Sequence, residues 1–201
     1  MAGSRFVSHV KWWFFFVPLL ALLLIPAIPD PSLFSIAPEE TDSVVTTIGA
    51  DRAEEAVTAT NERFKRWFVR TGLVRATIDA TRSGDIGDGG VSDFAHTWVH
   101  NFWLEVYRAV YRATVMKLWI LGTLAFCVAA FVDGSVRRKI KASAAGFASP
   151  LSFHLAGHGI LMVLGLAFAV LVAPVPLFAQ VWVVMAAVLG ALIWKASSSY
   201  Q

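Results

Sequence analysis

Two histidine pairs, His96/His100 and His154/His158, stand four residues apart. On a helix that spacing puts both imidazoles on one face, as in some zinc sites. A zinc site still needs a third or fourth ligand. The pairs do not supply each other: a straight helix carries His96 and His100 about 20 Å beyond the start of the apolar stretch that follows. His154 and His158 open another apolar stretch from its opposite end, a hydrocarbon thickness of about 30 Å away. Both pairs therefore read as interfacial histidines with hydrogen-bond partners. The glycine-rich Ser83-Gly84-Asp85-Ile86-Gly87-Asp88-Gly89-Gly90 would suit a phosphate or calcium loop. It lacks the Lys-Ser/Thr of a P-loop, the spaced ligands and terminal Glu of an EF-hand, and a preceding strand, so it reads as a connection between helices. Cys127, alone between Phe126 and Val128, has no cysteine to pair with and behaves as a small packed hydrophobe. No Ser-His-Asp constellation, nucleotide motif or pair of intramembrane carboxylates appears. No catalytic residue, cofactor or metal is assigned, and the chain reads as a non-enzyme.

The elements that must carry these residues are apolar. Four stretches, Trp12–Ile28, Val115–Val132, Phe153–Ala173 and Pro176–Trp194, fall near the ~20 apolar residues that a membrane-crossing helix needs. Hydrophobic residues make up 57% of the chain and mean hydropathy is +0.63, which leaves little for an independent soluble core. Transporters and proton relays usually keep ionisable groups at mid-membrane, and none stands there. The sequence predicts an all-α, four-span transmembrane protein.

Charge orients it. Thirteen of the 14 acidic residues lie between Asp30 and Glu105, and 29–114 holds nine Lys/Arg against those thirteen. The short flanks are basic: Arg5 and Lys11, then Arg137, Arg138, Lys139 and Lys141, then Lys195. Short cytoplasmic loops collect Lys and Arg, whereas long loops translocate largely regardless of charge. The expected organisation is an N-terminal tail and first span over 1–28, an extracytoplasmic helical hairpin over 29–114, a second span over 115–132, and a basic cytoplasmic loop over 133–152. A third span over 153–173 and a fourth with the C-terminal tail over 174–201 follow. This orients a multi-pass membrane protein N-in and C-in. Leu24-Ile25-Pro26-Ala27-Ile28-Pro29 offers no small-x-small cleavage site, so the first span reads as an uncleaved anchor.

Within the hairpin, Pro38-Glu39-Glu40 marks a helix start. An apolar stripe at helical spacing then runs through Phe64, Trp67 and Phe68 to Ile78. A second helix, capped by Ser92 or Asp93, carries Trp98 and Phe102 on one stripe and Trp103, Tyr107 and Tyr111 on another. It runs on without proline or glycine until Gly122, so Asp93–Val132 reads as one helix. The expectation is that Phe64/Trp67/Phe68 faces Trp98/Phe102, with Trp103 beside them; apolar surface left over would be a partner face. In the spans, Gly165/Ala169/Ala173 and Ala186/Gly190 have the four-residue spacing of small residues that lets helices approach closely, between the third and fourth spans or in an oligomer.

The most distinctive segment is Asp133-Gly134-Ser135-Val136-Arg137-Arg138-Lys139-Ile140-Lys141, followed by Gly146-Phe147-Ala148-Ser149-Pro150 and Phe153-His154-Leu155-Ala156. Asp133, Gly134, Arg137, Arg138, Lys139, Lys141 and His154 are the candidate contacts to a partner or to membrane lipid, a basic juxtamembrane residue being worth about 1 kcal/mol on an anionic surface. Asp133-Gly134 would set the start of a helix. With four spans and a long first extracytoplasmic loop, this order resembles a family of inner-membrane proteins of integrating conjugative elements and related plasmids, which carry a domain of unknown function. Members often have a basic pair after the His-x-Ala; this chain has Gly157-His158. The resemblance implies a place in the bacterial inner membrane and a conjugation context, with type IV secretion and coupling-protein genes nearby, and supplies no catalytic residues.

The expected function is a non-enzymatic membrane component of a conjugative DNA-transfer apparatus, contacting other membrane subunits such as the coupling ATPase, without direct nucleic-acid binding. A surface-exclusion or immunity-type protein is the alternative, and a small transporter or a metal- or haem-binding protein the third reading.

Overall fold

The computed structural model describes residues 8, 10–82, 90–144 and 150–200. Arg5, the glycine-rich stretch over 83–89 and the Gly146–Ser149 stretch lie outside them. The described elements are helical. A π turn at Trp12–Phe16 leads into α1 (Val17–Leu24), and two short 3-10 turns follow at Ile25–Ala27 and Pro31–Phe34. Then come α2 (Pro38–Ile48), α3 (Ala50–Phe64), a π turn at Lys65–Val69, α4 (Leu73–Ala80), α5 (Val91–Ser143), α6 (Pro150–Val172) and α7 (Gln180–Ser199).

Local chemistry sets these boundaries. Pro38 opens α2 with Glu39 and Glu40 in its first turn, where acids meet the positive end of the helix dipole. Gly49 (φ 89°) breaks α2 from α3, and Gly72 (φ 79°) starts α4 in the left-handed region, which costs glycine little. Pro174 and Pro176 stop α6.

Three helices, α5, α6 and α7, are long and apolar enough to cross a membrane. The first apolar stretch forms the shorter apolar helix Phe14–Ala27, because Pro26 and Pro29 end it. The segment read as a basic loop over 133–152 is mostly helix: α5 continues unbroken through Ser143 and α6 begins at Pro150. Charged side chains do not stop a helix, and only a proline or a left-handed glycine would have.

The chain divides into two compact units. One comprises residues 1–15, 116–168 and 180–201, and the other 16–115 and 169–179. In the first, α5, α6 and α7 pack through small residues. A Cβ on Gly134 would stand 1.9 Å from Ser197 Oγ and 2.7 Å from the Trp194 carbonyl oxygen, so α5 and α7 approach there as only glycine permits. Gly190 gives room to the Phe126 ring and Gly159 to Leu192. Of the residues expected at helix contacts, Gly165 and Gly190 are buried, while Ala169, Ala173 and Ala186 are half-buried.

In the second unit the apolar core includes Phe34, Val44, Tyr111, Val115, Leu177 and Ala179. Its largest fully buried side chains also include Glu40, Asn101, Glu105, Arg108 and Arg112, groups that are seldom buried unless paired.

Candidate functional site

The site is built on the N-terminal half of α5. Asn101, Glu105, Arg108 and Arg112 recur at steps of four, three and four, which puts them on one helix face. Their relative exposures are 0, 0, 2 and 2%. Sequence reasoning missed this row because single charges on an aromatic helix look solvated. The recoverable signal was the helical spacing itself, on a face that also carries Tyr111 and Val115.

Arg112 and Glu40 form a bidentate ion pair: Nε donates to Oε1 at 2.7 Å and Nη2 to Oε2 at 2.6 Å. Planar guanidinium matches planar carboxylate in that geometry. Arg112 Nη1 also donates to the carbonyls of Val170 (2.9 Å) and Ala173 (2.7 Å), and Nη2 to that of Val175 (2.5 Å). The last carbonyls of a helix have no intrahelical partner, and a cation there meets the negative end of its dipole. Arg112 thus caps the end of α6. From the other side, Leu177 N donates to Glu40 Oε2 and Ala179 N to Ser43 Oγ, both at 3.0 Å. A buried clamp of Glu40, Ser43 and Arg112 therefore holds the Pro174-Val175-Pro176 turn by its backbone.

Further along the row, Asn101 Nδ2 donates to the carbonyls of Pro26 and Ile28 at 3.2 and 3.0 Å. Arg108 Nη1 donates to the carbonyl of Leu33. These bonds fix the proline-rich segment to α5. Asn101 Oδ1, both Glu105 carboxylate oxygens, and Arg108 Nε and Nη2 have no hydrogen-bond partner among the described residues. Burial therefore pushes Glu105 up to about 7 against the pull of Arg108. Burial, with Arg112 adding repulsion, pulls Arg108 down to about 10.

The aromatic residues pair otherwise than expected. Phe64 and Phe68 pack on Trp103, with ring centroids 6.1 and 5.4 Å apart, and Phe64 also packs on Tyr107 at 5.3 Å. Trp103 Nε1 donates to Thr77 Oγ1, Tyr107 to Asn61 Oδ1 and Arg63 to Thr114 Oγ1. The second stripe of α5, not the first, faces the π turn. Trp98 and Phe102 instead stack on each other at 5.3 Å, and Trp98 Nε1 donates to the Leu23 carbonyl. Spacing revealed two stripes but could not rank them. Trp67 remains 51% exposed.

At the far end of α5, Asp133 Oδ2 accepts from Trp194 Nε1 at 2.6 Å. Arg137 stacks over the Trp194 ring at 5.1 Å and Arg138 over Tyr200 at 5.5 Å. Asp133 and Gly134 therefore dock α5 against α7 rather than start a helix. Lys139, Lys141 and His154 are exposed, as are His96 and His100. Among the described residues no group of three or more His, Cys, Asp or Glu could hold a metal ion.

A family model described as IncC plasmid conjugative DNA transfer protein DtrJ-like matches residues 35–201. The chain belongs to the DtrJ-like family. The match takes in the whole Glu40–Arg112 clamp and the Asp133–Trp194 dock, while the first apolar stretch precedes it. Membership ties this protein to conjugative DNA transfer. No curated protein matches the chain, and no solved structure does.

Proposed function

We propose that this DtrJ-like protein is a non-enzymatic, four-span inner-membrane component of a conjugative DNA-transfer apparatus that acts by protein–protein contact, with the coupling ATPase as a partner. The observation that carries the reading is the family match over 35–201. Three helices of membrane-crossing length and apolarity support it. The first stretch supports a fourth span, because helical or π-helical backbone runs from Val10 to Ala27, about 27 Å at ~1.5 Å per residue. The basic end of α5 is the docking end in this reading. Arg137 and Arg138 are held against aromatic faces, and the exposed Lys139 and Lys141 beside them are open to an acidic partner.

Affinity purification in mild detergent, from cells carrying the intact element, tests the proposal. The coupling ATPase or other transfer-apparatus membrane proteins should copurify, and the Arg137→Lys/Arg138→Lys variant should insert normally but transfer less DNA. Lys keeps the charge and loses the planar fork that holds a carboxylate in two bonds. Normal transfer at normal protein level would reduce this end to a lipid anchor, and copurification of no transfer protein would overturn the proposal.

A further inference from the structure

Glu105 stands in the buried row of α5, one turn after Asn101 and one turn before Arg108, and both neighbours grip the segment that follows α1. Asn101 Nδ2 holds the carbonyls of Pro26 and Ile28, and Arg108 Nη1 holds that of Leu33. What each neighbour leaves over differs in kind. Among the described residues Asn101 keeps an unmatched acceptor, Oδ1, and Arg108 keeps two unmatched donors, Nε and Nη2. Glu105, whose two oxygens are also unmatched, lies on the same helix face between them. Its proton selects the partner. A neutral carboxyl has an O–H to donate to Asn101 Oδ1, whereas a carboxylate is acceptor-only and meets that oxygen as like to like. A carboxylate suits the Nε/Nη2 edge of Arg108 instead, in the side-on fork that Arg112 makes with Glu40. While Nη1 is on Leu33 that edge bonds to nothing described, so closing the fork moves the guanidinium from where Leu33 holds it.

The surroundings leave Glu105 as the group that titrates. Burial holds its pKa at about 7. Glu40 of α2 is paired with Arg112, and Arg63 of α3 donates to Thr114. Asp30, in the gripped segment, is exposed and accepts from Ser32. Arg75, Asp79 and Arg82 pair with one another at the surface. Burial raises the pKa of Tyr107 and Tyr111 on α5 itself, and His96 and His100 are exposed. Residues 17–24 and 169–179 carry no titratable group.

We infer that Asn101, Glu105 and Arg108 form a proton-operated latch on the 26–33 segment: protonated Glu105 bonds Asn101 and the segment stays on α5, while ionised Glu105 draws Arg108 from Leu33 and the segment lifts. The proton leaves to solvent, and lifting lets water reach a charge that burial penalises. The latch sits where the first apolar helix meets the hairpin, so pH governs how firmly that helix is tied to α5. This goes beyond the conjugation reading and does not depend on it.

Spin-label mobility tests the latch. The full chain in mild detergent, in a Cys127→Ala background, carries one nitroxide at Ile28→Cys, an exposed position, or at the exposed Thr58→Cys on α3 as control. From about pH 5.5 to 8.5 the Ile28 label should pass from slow to fast motion with a midpoint near 7, as linkage to Glu105 requires. The Thr58 label should not change. Glu105→Gln keeps the shape and offers an amide N–H to Asn101 Oδ1, so the Ile28 label should stay slow throughout. Arg108→Gln keeps a donor for Leu33 and removes the fork, so the midpoint should rise by about one pH unit or more. A flat wild-type profile, a step that survives Glu105→Gln, or a midpoint unmoved by Arg108→Gln would each overturn the inference. So would a step that vanishes in His96→Gln/His100→Gln, since those histidines would then be the titrating groups.

Discussion

At the scale of single residues, the buried charges along α5 fall into two groups: Arg112, satisfied by Glu40 of α2, and Glu105 and Arg108, which keep unpartnered atoms among the described residues. Arg112 and Glu40 spend nearly all their hydrogen-bonding capacity on each other and on the 170–179 backbone. Breaking a buried pair by removing one partner costs about 3–5 kcal/mol, because the other charge is left uncompensated. Glu40→Gln and Arg112→Met should each destabilise the protein by that order in denaturant unfolding in detergent. The double variant should cost clearly less than their sum; full additivity would mean that the pair is not coupled. Glu105 behaves in the opposite way. Its folded-state pKa is pushed up to about 7 from 4.5, chiefly by burial, so the folded chain holds a proton that the unfolded chain releases. That contribution is fully present below pH ~4.5 and is lost as pH rises through about 7. Stability should therefore fall across pH 5–8 in the wild type, and Glu105→Gln should flatten that slope. An unchanged slope in the variant would assign the dependence to another group.

At the scale of elements, two glycines of α5 have opposite roles although the sequence treats them alike. A Cβ on Gly122 meets nothing within 4 Å, whereas one on Gly134 collides with the α7 backbone at the Trp194 carbonyl. Gly122→Ala should be neutral or stabilising by up to about 1 kcal/mol, the helix-propensity gain. Gly134→Ala should destabilise by about 1–3 kcal/mol, as overpacking does, and should loosen the Asp133–Trp194 bond. Thermal unfolding of both variants, with Trp fluorescence as the readout for the dock, checks this. Equal effects would mean that α5 and α7 do not touch at Gly134.

At the scale of the whole molecule, the basic residues predict the sides. The run at 137–141 predicts that this end lies inside and the long 29–114 segment outside, since long segments translocate largely regardless of charge. Single cysteines at the exposed Thr58 and Ser143, in a Cys127→Ala background, should react differently with an impermeant thiol reagent. In intact spheroplasts Thr58→Cys should label and Ser143→Cys should label only after permeabilisation. The reverse pattern would invert the orientation.

Periodicity and hydropathy were enough to make the chain helical, to mark its apolar stretches and to run α5 through from the aromatic segment into the span. These are local properties, legible residue by residue. The Asp133–Ala156 motif was likewise enough to point to conjugation, because a motif is a string. What tertiary structure decided was partnership. Only the fold shows that Trp103 and Tyr107, rather than Trp98 and Phe102, meet Phe64. Only the fold gives Gly134 its reason, which lies 60 residues away in Trp194. The Glu40–Arg112 clamp joins positions 72 apart and then reaches a turn at 174–176. A charge in sequence carries no sign of whether water or a carboxylate will meet it, and burial, a property of the assembled chain, settles which.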